Sequence, residues 1–133
     1  MSKQISDTVT LYRAVGPGQL KRIAESGWKK FPSRLHWQPY FYPMLHEAFA
    51  RKIASEWNVQ QSGVGYVLRF KVRKSYVERL PIYMVGGPEH TEYRIAANEL
   101  PGFNDNIVGS IELMATYNEQ PRQSLWKTAV AWA

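Results

Sequence analysis

The chain contains no cysteine. That excludes a disulfide scaffold, a thiolate nucleophile and any zinc site built on sulfur. Histidine is scarce too: His36, His46 and His90 lack metal-ligand spacing, so no metal is expected. No apolar run approaches the ~18–20 residues of a membrane span. The opening MSKQISDTVT is polar and lacks the apolar stretch of a secretory signal. Together these predict no membrane partner and a cytoplasmic location. There is no phosphate-loop lysine motif, no GxGxxG fingerprint and no GxSxG elbow.

What remains is enough for one domain with a real core. The 133 residues are 44% hydrophobic and 14% aromatic, which excludes wholesale disorder. Seventeen Lys and Arg against eleven Asp and Glu leave a net charge of +6. The basic residues are scattered, as Lys21-Arg22, Lys29-Lys30, Arg51-Lys52 and the run from Arg69 to Lys74. A solvated face is the plain reading of that charge and an anionic partner the sharper one.

Period and punctuation outline the elements. TVTLYRAV (8–15) alternates as a strand, with Arg13 on the face of Val9 and Leu11. An arginine at such a position needs an anion or water. Pro17 suits a helix start and Gly27 a stop, so a helix is expected over 17–26. Residues 28–42 crowd six aromatics among Pro32 and Pro39, either as a core wall or as a pocket lining. Helical spacing returns from Pro43, with Leu45, Ala48, Phe49, Lys52, Ile53 and Trp57 on one side, and predicts a helix to about 57.

A polar loop is expected over 58–65. Next comes a strand with Tyr66, Leu68, Phe70 and Val72 inward and Arg69, Lys71 and Arg73 facing solvent. A short connector covers 74–81, a short strand 82–85, and Gly86-Gly87-Pro88 forms a turn. Residues 91–95 alternate, Pro101-Gly102 is expected to stop a helical turn, and 107–117 is the longest strand, with Ile107, Ile111 and Leu113 apolar. The polar tail regains apolar character at Leu125-Trp126, expected to dock on the body. Helices in the first half followed mostly by strands indicate an α+β fold.

Three stretches combine in one pattern: Leu11-Tyr12-Arg13; Tyr40-Phe41-Tyr42 leading into an Ala-rich helix; and Gly86 through Ile95. In this the chain resembles the ADP-ribosyltransferase fold in its bacterial toxin and effector form, over about residues 9–117. The resemblance implies a single such domain, core about 8–117 with a tail 118–133, built on a split pair of small mixed or antiparallel sheets. It also implies NAD as a substrate, consumed by mono-ADP-ribosyl transfer to a macromolecular acceptor, protein or nucleic acid. As a toxin or effector, the chain would act in the cytosol of a target cell.

Carried over residue by residue, Arg13 matches the cofactor-holding Arg, and Tyr40 or Tyr42 the aromatic that stacks on nicotinamide, Tyr40 being preferred because Tyr40-Phe41 looks like the Tyr-Phe pair of the polymerase-type members. Tyr12, Phe41 and Tyr42 would border the same cofactor. Glu92 matches the catalytic Glu, which hydrogen-bonds the nicotinamide ribose and stabilises the oxocarbenium-like charge as nicotinamide leaves. Gly87 and His90 fall in the acceptor-recognition loop. Members that modify arginine carry a second Glu where His90 stands, so an arginine acceptor is not implied. The Ser-Thr-Ser triplet of the toxin branch is replaced by Tyr40-Phe41-Tyr42.

Three other readings stay open, one of them a degenerate transferase fold that binds a nucleotide without turning it over. An NAD glycohydrolase would use the same residues with water as acceptor. A non-catalytic module would instead dock Arg69, Lys71 and Arg73 on nucleic acid or an acidic partner, with steep salt dependence.

Overall fold

A computed structural model describes residues 7–118; the 118–133 tail beyond Asn118, with Leu125-Trp126, falls outside them. The fold is α+β. Strand β1 (Thr8–Val15) is β-branched and aromatic, as its period suggested. Helix α1 (Pro17–Glu25) starts on Pro17, whose missing N–H costs nothing at the first helical position. It ends at Ser26 and Gly27, the latter at φ 78°. Trp28 follows at φ 65°, unusual for a large side chain, and its carbonyl accepts the Ile111 N–H at 2.7 Å. The irregular stretch beyond is anchored by Asn104, whose side-chain amide both donates to and accepts from the Phe31 backbone.

Strand β2 (Tyr40–Phe41) comes next, then α2 (Glu47–Lys52), a π-helical turn (Ile53–Asn58) and α3 (Val59–Ser62). The expected helix over 43–57 is thus shifted. Met44 is held in strand pairing, and the helical run continues to Ser62 through most of the expected polar loop. Gly63, at φ 80°, supplies the left-handed stop. The π turn also breaks the apolar phase. Phe49, Ala50 and Ala54 are buried, while Trp57, expected on their side, is 57% exposed.

Strand β3 (Val64–Arg73) pairs antiparallel with β1 and with β7 (Ile107–Asn118), giving the order β1-β3-β7. Leu68, Phe70 and Val72 are buried as expected. The opposite face is not wholly solvated, because Val67 packs with Ala14, Met44 and Phe49 in a second cluster. After α4 (Lys74–Val77), the hairpin β4 (Tyr83–Met84) and β5 (Thr91–Glu92) forms a second small sheet. β6 (Ile95–Ala96) pairs with β2. The expected strand over 91–95 is therefore two, serving different sheets.

A 3₁₀ turn (Ala97–Glu99) leads into α5 (Leu100–Asp105). Pro101-Gly102 lies inside that helix instead of stopping it, because Pro near an N-terminus forfeits no intrahelical bond. On β7, Ile111 is buried but Leu113 is exposed. Register shifts against β3 interrupt the alternation there. Among the described residues, no helix is long and apolar enough to cross a membrane.

Candidate active site

One backbone junction organises the site. Tyr12 and Met44 exchange two N–H···O bonds of 2.8 Å, and Met44 is paired on its other side with Glu92. The hairpin β4–β5 is thereby joined through Met44 to β1-β3-β7. Beyond Tyr12 the two chains part, because Tyr40 and Phe41 pair with Ala96 and Ile95 of β6. Arg13 is the first residue of β1 past this parting.

Arg13 is 6% exposed. Its Nη1 donates to the Tyr42 carbonyl and its Nη2 to Gln19 Oε1, each at 3.3 Å. The guanidinium lies 4.8 Å from the centre of the Phe41 ring, close enough for a cation–π contact. Its Nε is buried without a partner. Among the described residues no carboxylate approaches within the 4.0 Å of an ion pair. Burial, then the charge of Arg34, push its pKa down to about 9, and Glu92 partly offsets them. At that value the side chain remains a cation at neutral pH. A buried, incompletely bonded cation is costly, and an anion beside it would relieve the cost.

Glu92 lies on the same rung as Met44 and Tyr12, one step from Arg13. The alternation of residues 91–95 put it on a polar face, yet it is 8% exposed. Its carboxylate accepts from Arg94 Nε at 3.2 Å, and Arg94 stacks over Tyr83 at 4.0 Å. Thr91, also buried, has an unpartnered hydroxyl.

The aromatic stretch divides by role. Phe41 is 1% exposed and packs with Phe31 and Phe103, so it supports Arg13 from below as part of the core. Tyr40 is 42% exposed, with its ring 6.2 Å from that of half-buried Tyr42. Tyr12, next to Arg13 on β1, leaves the opposite face and packs against the second cluster. His90 stacks on Phe49 of α2 at 4.8 Å, and its N–H bonds the Gly87 carbonyl within the hairpin.

The fold thus brings Arg13, Phe41 and Tyr42 into contact, sets Tyr40 beside Tyr42, and joins Glu92 to their strand through Met44. It leaves Gly87 and His90 outside that contact group, at the hairpin that precedes Glu92.

No family model, curated protein or solved structure matches the chain. The site therefore stands on its own geometry. Among the described residues no group of three or more His, Asp or Glu is arranged to hold a metal ion.

Three participants were not legible beforehand. Arg34 donates from Nε to the Tyr40 carbonyl at 2.9 Å and lies 6.0 Å from the Phe41 ring. Burial pushes its pKa down, with Tyr42 offsetting. Gln19 and Arg94 are the others. Gln19 is a polar position of α1, while Arg34 and Arg94 lie outside any helix or strand, where sequence patterning assigns no role. Chemically, the arrangement offers cationic donors for an anion, an accessible aromatic face, and a carboxylate on a neighbouring strand.

Proposed function

We propose that the protein cleaves the nicotinamide–ribose bond of NAD and transfers the ADP-ribosyl group to a macromolecular acceptor. In this reading Arg13 orients the dinucleotide through its anionic or ribosyl oxygens, and Tyr40 offers its exposed ring to nicotinamide. Glu92 hydrogen-bonds the ribose 2′-hydroxyl and stabilises the positive charge growing at C1′. The C1′–N bond breaks, nicotinamide leaves with the bonding pair, and the acceptor's nucleophile bonds to C1′ as it gives up its proton.

One observation carries the reading. Residues 13 and 40–42, singled out by the resemblance and far apart in sequence, meet where β1 parts from the 40–43 segment, and Glu92 is tied to that segment through its bridge to Met44. The buried Arg13 there has no carboxylate of its own within ion-pair distance among the described residues. A merely structural arginine would be expected to have one.

The test is nicotinamide release from NAD by the purified chain, with and without cell lysate, beside Glu92→Gln. Release that falls about a hundredfold or more in the variant is the expected result. Stimulation by lysate identifies transfer, and release indifferent to lysate identifies hydrolysis. Absence of release in every condition, with no NAD-induced rise in melting temperature, overturns the reading.

A further inference from the structure

A pocket of about 210 Å³ opens between the first turns of α1 and the 32–38 stretch. Gly18, Gln19 and Arg22 line one wall, and Arg34 and Gln38 line the other. It is smaller than the ~300–1,000 Å³ that takes a whole drug-sized ligand. Such a space accepts one group of a larger molecule.

Its chemistry selects that group. Two arginines, Arg22 and Arg34, line the pocket, and neither has a carboxylate within ion-pair distance among the described residues. Arg34 is fixed through Nε to the Tyr40 carbonyl, so its Nη atoms are the ends left to grip a ligand. Gln19 is oriented as well. A guanidinium can only donate, so Arg13 holds the Gln19 oxygen and leaves the amide N–H₂ as a donor. No side chain caps the first turn of the nine-residue α1. Donors from α1 and from the 32–38 stretch thus share this space with the apolar Pro32 and Leu35, and Arg13, whose buried Nε lacks a partner, is linked to it through Gln19.

We propose that this pocket is a phosphate subsite for a nucleotide whose remainder lies over Arg13 in the parting between β1 and the 40–43 segment. The identity of that nucleotide as NAD rests on the reading above; the phosphate subsite itself does not. Arg22 and Arg34 are the residues that set its preference for phosphate over an uncharged group.

The probe is ADP, which binds without turnover, titrated calorimetrically into the full chain at low ionic strength. Adenosine and inorganic phosphate are each expected to bind at least about tenfold more weakly than ADP. Arg22→Gln and Arg34→Gln are each expected to weaken ADP about tenfold and leave adenosine unchanged. Arg22 is exposed on α1. Its variant therefore decides the matter should Arg34→Gln lower the melting temperature of the free protein. Equal binding of ADP and adenosine, unchanged ADP affinity in Arg22→Gln, or no ADP binding overturns the proposal. Inorganic phosphate binding as well as ADP assigns the pocket to the free ion and overturns the nucleotide assignment. Failure of NAD cleavage with Arg22-dependent ADP binding leaves the subsite standing without the transferase. Cleavage with ADP affinity indifferent to Arg22 does the reverse.

Discussion

Arg94 donates to the Glu92 carboxylate at 3.2 Å while its guanidinium lies 4.0 Å from the centre of the Tyr83 ring. Tyr83 is also the residue paired with Glu92 across the β4–β5 hairpin. The three side chains therefore brace one another on a hairpin of two-residue strands. The carboxylate of Glu92 is held at a fixed place by a neighbour that is itself held by an aromatic face.

That bracing makes Arg94 a positioning residue in the proposed reaction. Arg94→Ala is expected to lower kcat for nicotinamide release about tenfold or more, with little change in KM. Arg94→Lys keeps the charge and is expected to recover part of the rate. Glu92 is buried, so Arg94→Ala leaves its carboxylate without that partner and is also expected to lower the melting temperature, which Arg94→Lys should largely restore. Steady-state kinetics on both variants check it. A kcat unchanged in Arg94→Ala would show that Glu92 needs no such support.

Tyr40 and Phe41 are adjacent in sequence and opposite in consequence. Tyr40 is largely accessible, and its removal empties no core space. Tyr40→Ala is expected to raise KM for NAD about tenfold at unchanged melting temperature, whereas Tyr40→Phe keeps the ring and the affinity. Phe41→Ala would cost about 3–5 kcal/mol through the cavity left between Phe31 and Phe103. Kinetics for the first pair and urea denaturation for the last distinguish a ligand-facing ring from a packing ring.

Arg13 shows the cost of burying a cation that has no carboxylate within ion-pair distance among the described residues. Burial pushes its pKa in the fold down to about 9, below that of the free side chain. Below pH 9 both folded and unfolded chains carry the proton, and the folded state bears the full penalty of burying it. Above about 9 the folded state sheds the proton while the unfolded state still keeps it, so this residue's contribution to stability rises with pH. Replacing it by Met removes a buried cation and its orphaned Nε. Arg13→Met is therefore expected to raise stability at pH 7 by about 1 kcal/mol or more, and to abolish NAD binding. The gain should shrink as pH climbs above 9. Urea midpoints of both proteins at pH 7 and pH 10 measure it, and a less stable Arg13→Met at pH 7 contradicts it.

Much of this was legible from period alone, because β1, α1 and β3 each carry an unbroken pattern over eight residues or more. What escaped were features that local patterning does not encode. The π turn that throws Trp57 outward depends on contact with Gly65, eight residues downstream. The capture of Met44 between Tyr12 and Glu92 depends on two distant strands. The burial of Glu92 was hidden for the same reason: its strand alternates as a solvated one would, and only the Met44 segment and Arg94 enclose it. Arg13 could be singled out from sequence because a cation among Val9, Leu11 and Val15 violates its own pattern. Arg34, in a stretch with no period, violates nothing.

Gly65 is where the close approach of helix to sheet can be tested. A Cβ there would collide with the Ala54 carbonyl group and with the Cβ of Asn58. The carbonyl is backbone and a Cβ is fixed to it, so no flexible side-chain end is there to yield. Gly65→Ala is expected to destabilise the fold by about 3 kcal/mol or to prevent folding. Gly102→Ala, with open space around its Cβ position, is expected to be near neutral. A cooperative unfolding transition for Gly65→Ala at the parent midpoint would refute the packing of the π turn on β3.

The basic stripe on β3 is the last feature that composition brought forward, and its neighbours weaken it. Arg69 is paired with Glu112 at 2.9 Å, and Arg73 is spent on the Asp105 carbonyl at 2.9 Å. Glu112 borders the same surface as Arg69 and Lys71, so the stripe presents mixed charge where a polyanion would need one sign. Replacing Arg69, Lys71 and Arg73 together by Gln should leave nicotinamide release within about twofold, since none of them borders Arg13, Tyr40 or Glu92. Retention on heparin across a salt gradient should fall only by the general loss of charge. A collapse of activity in this variant, with Glu92→Gln still active, would move the function to the sheet face and away from the Arg13 cleft.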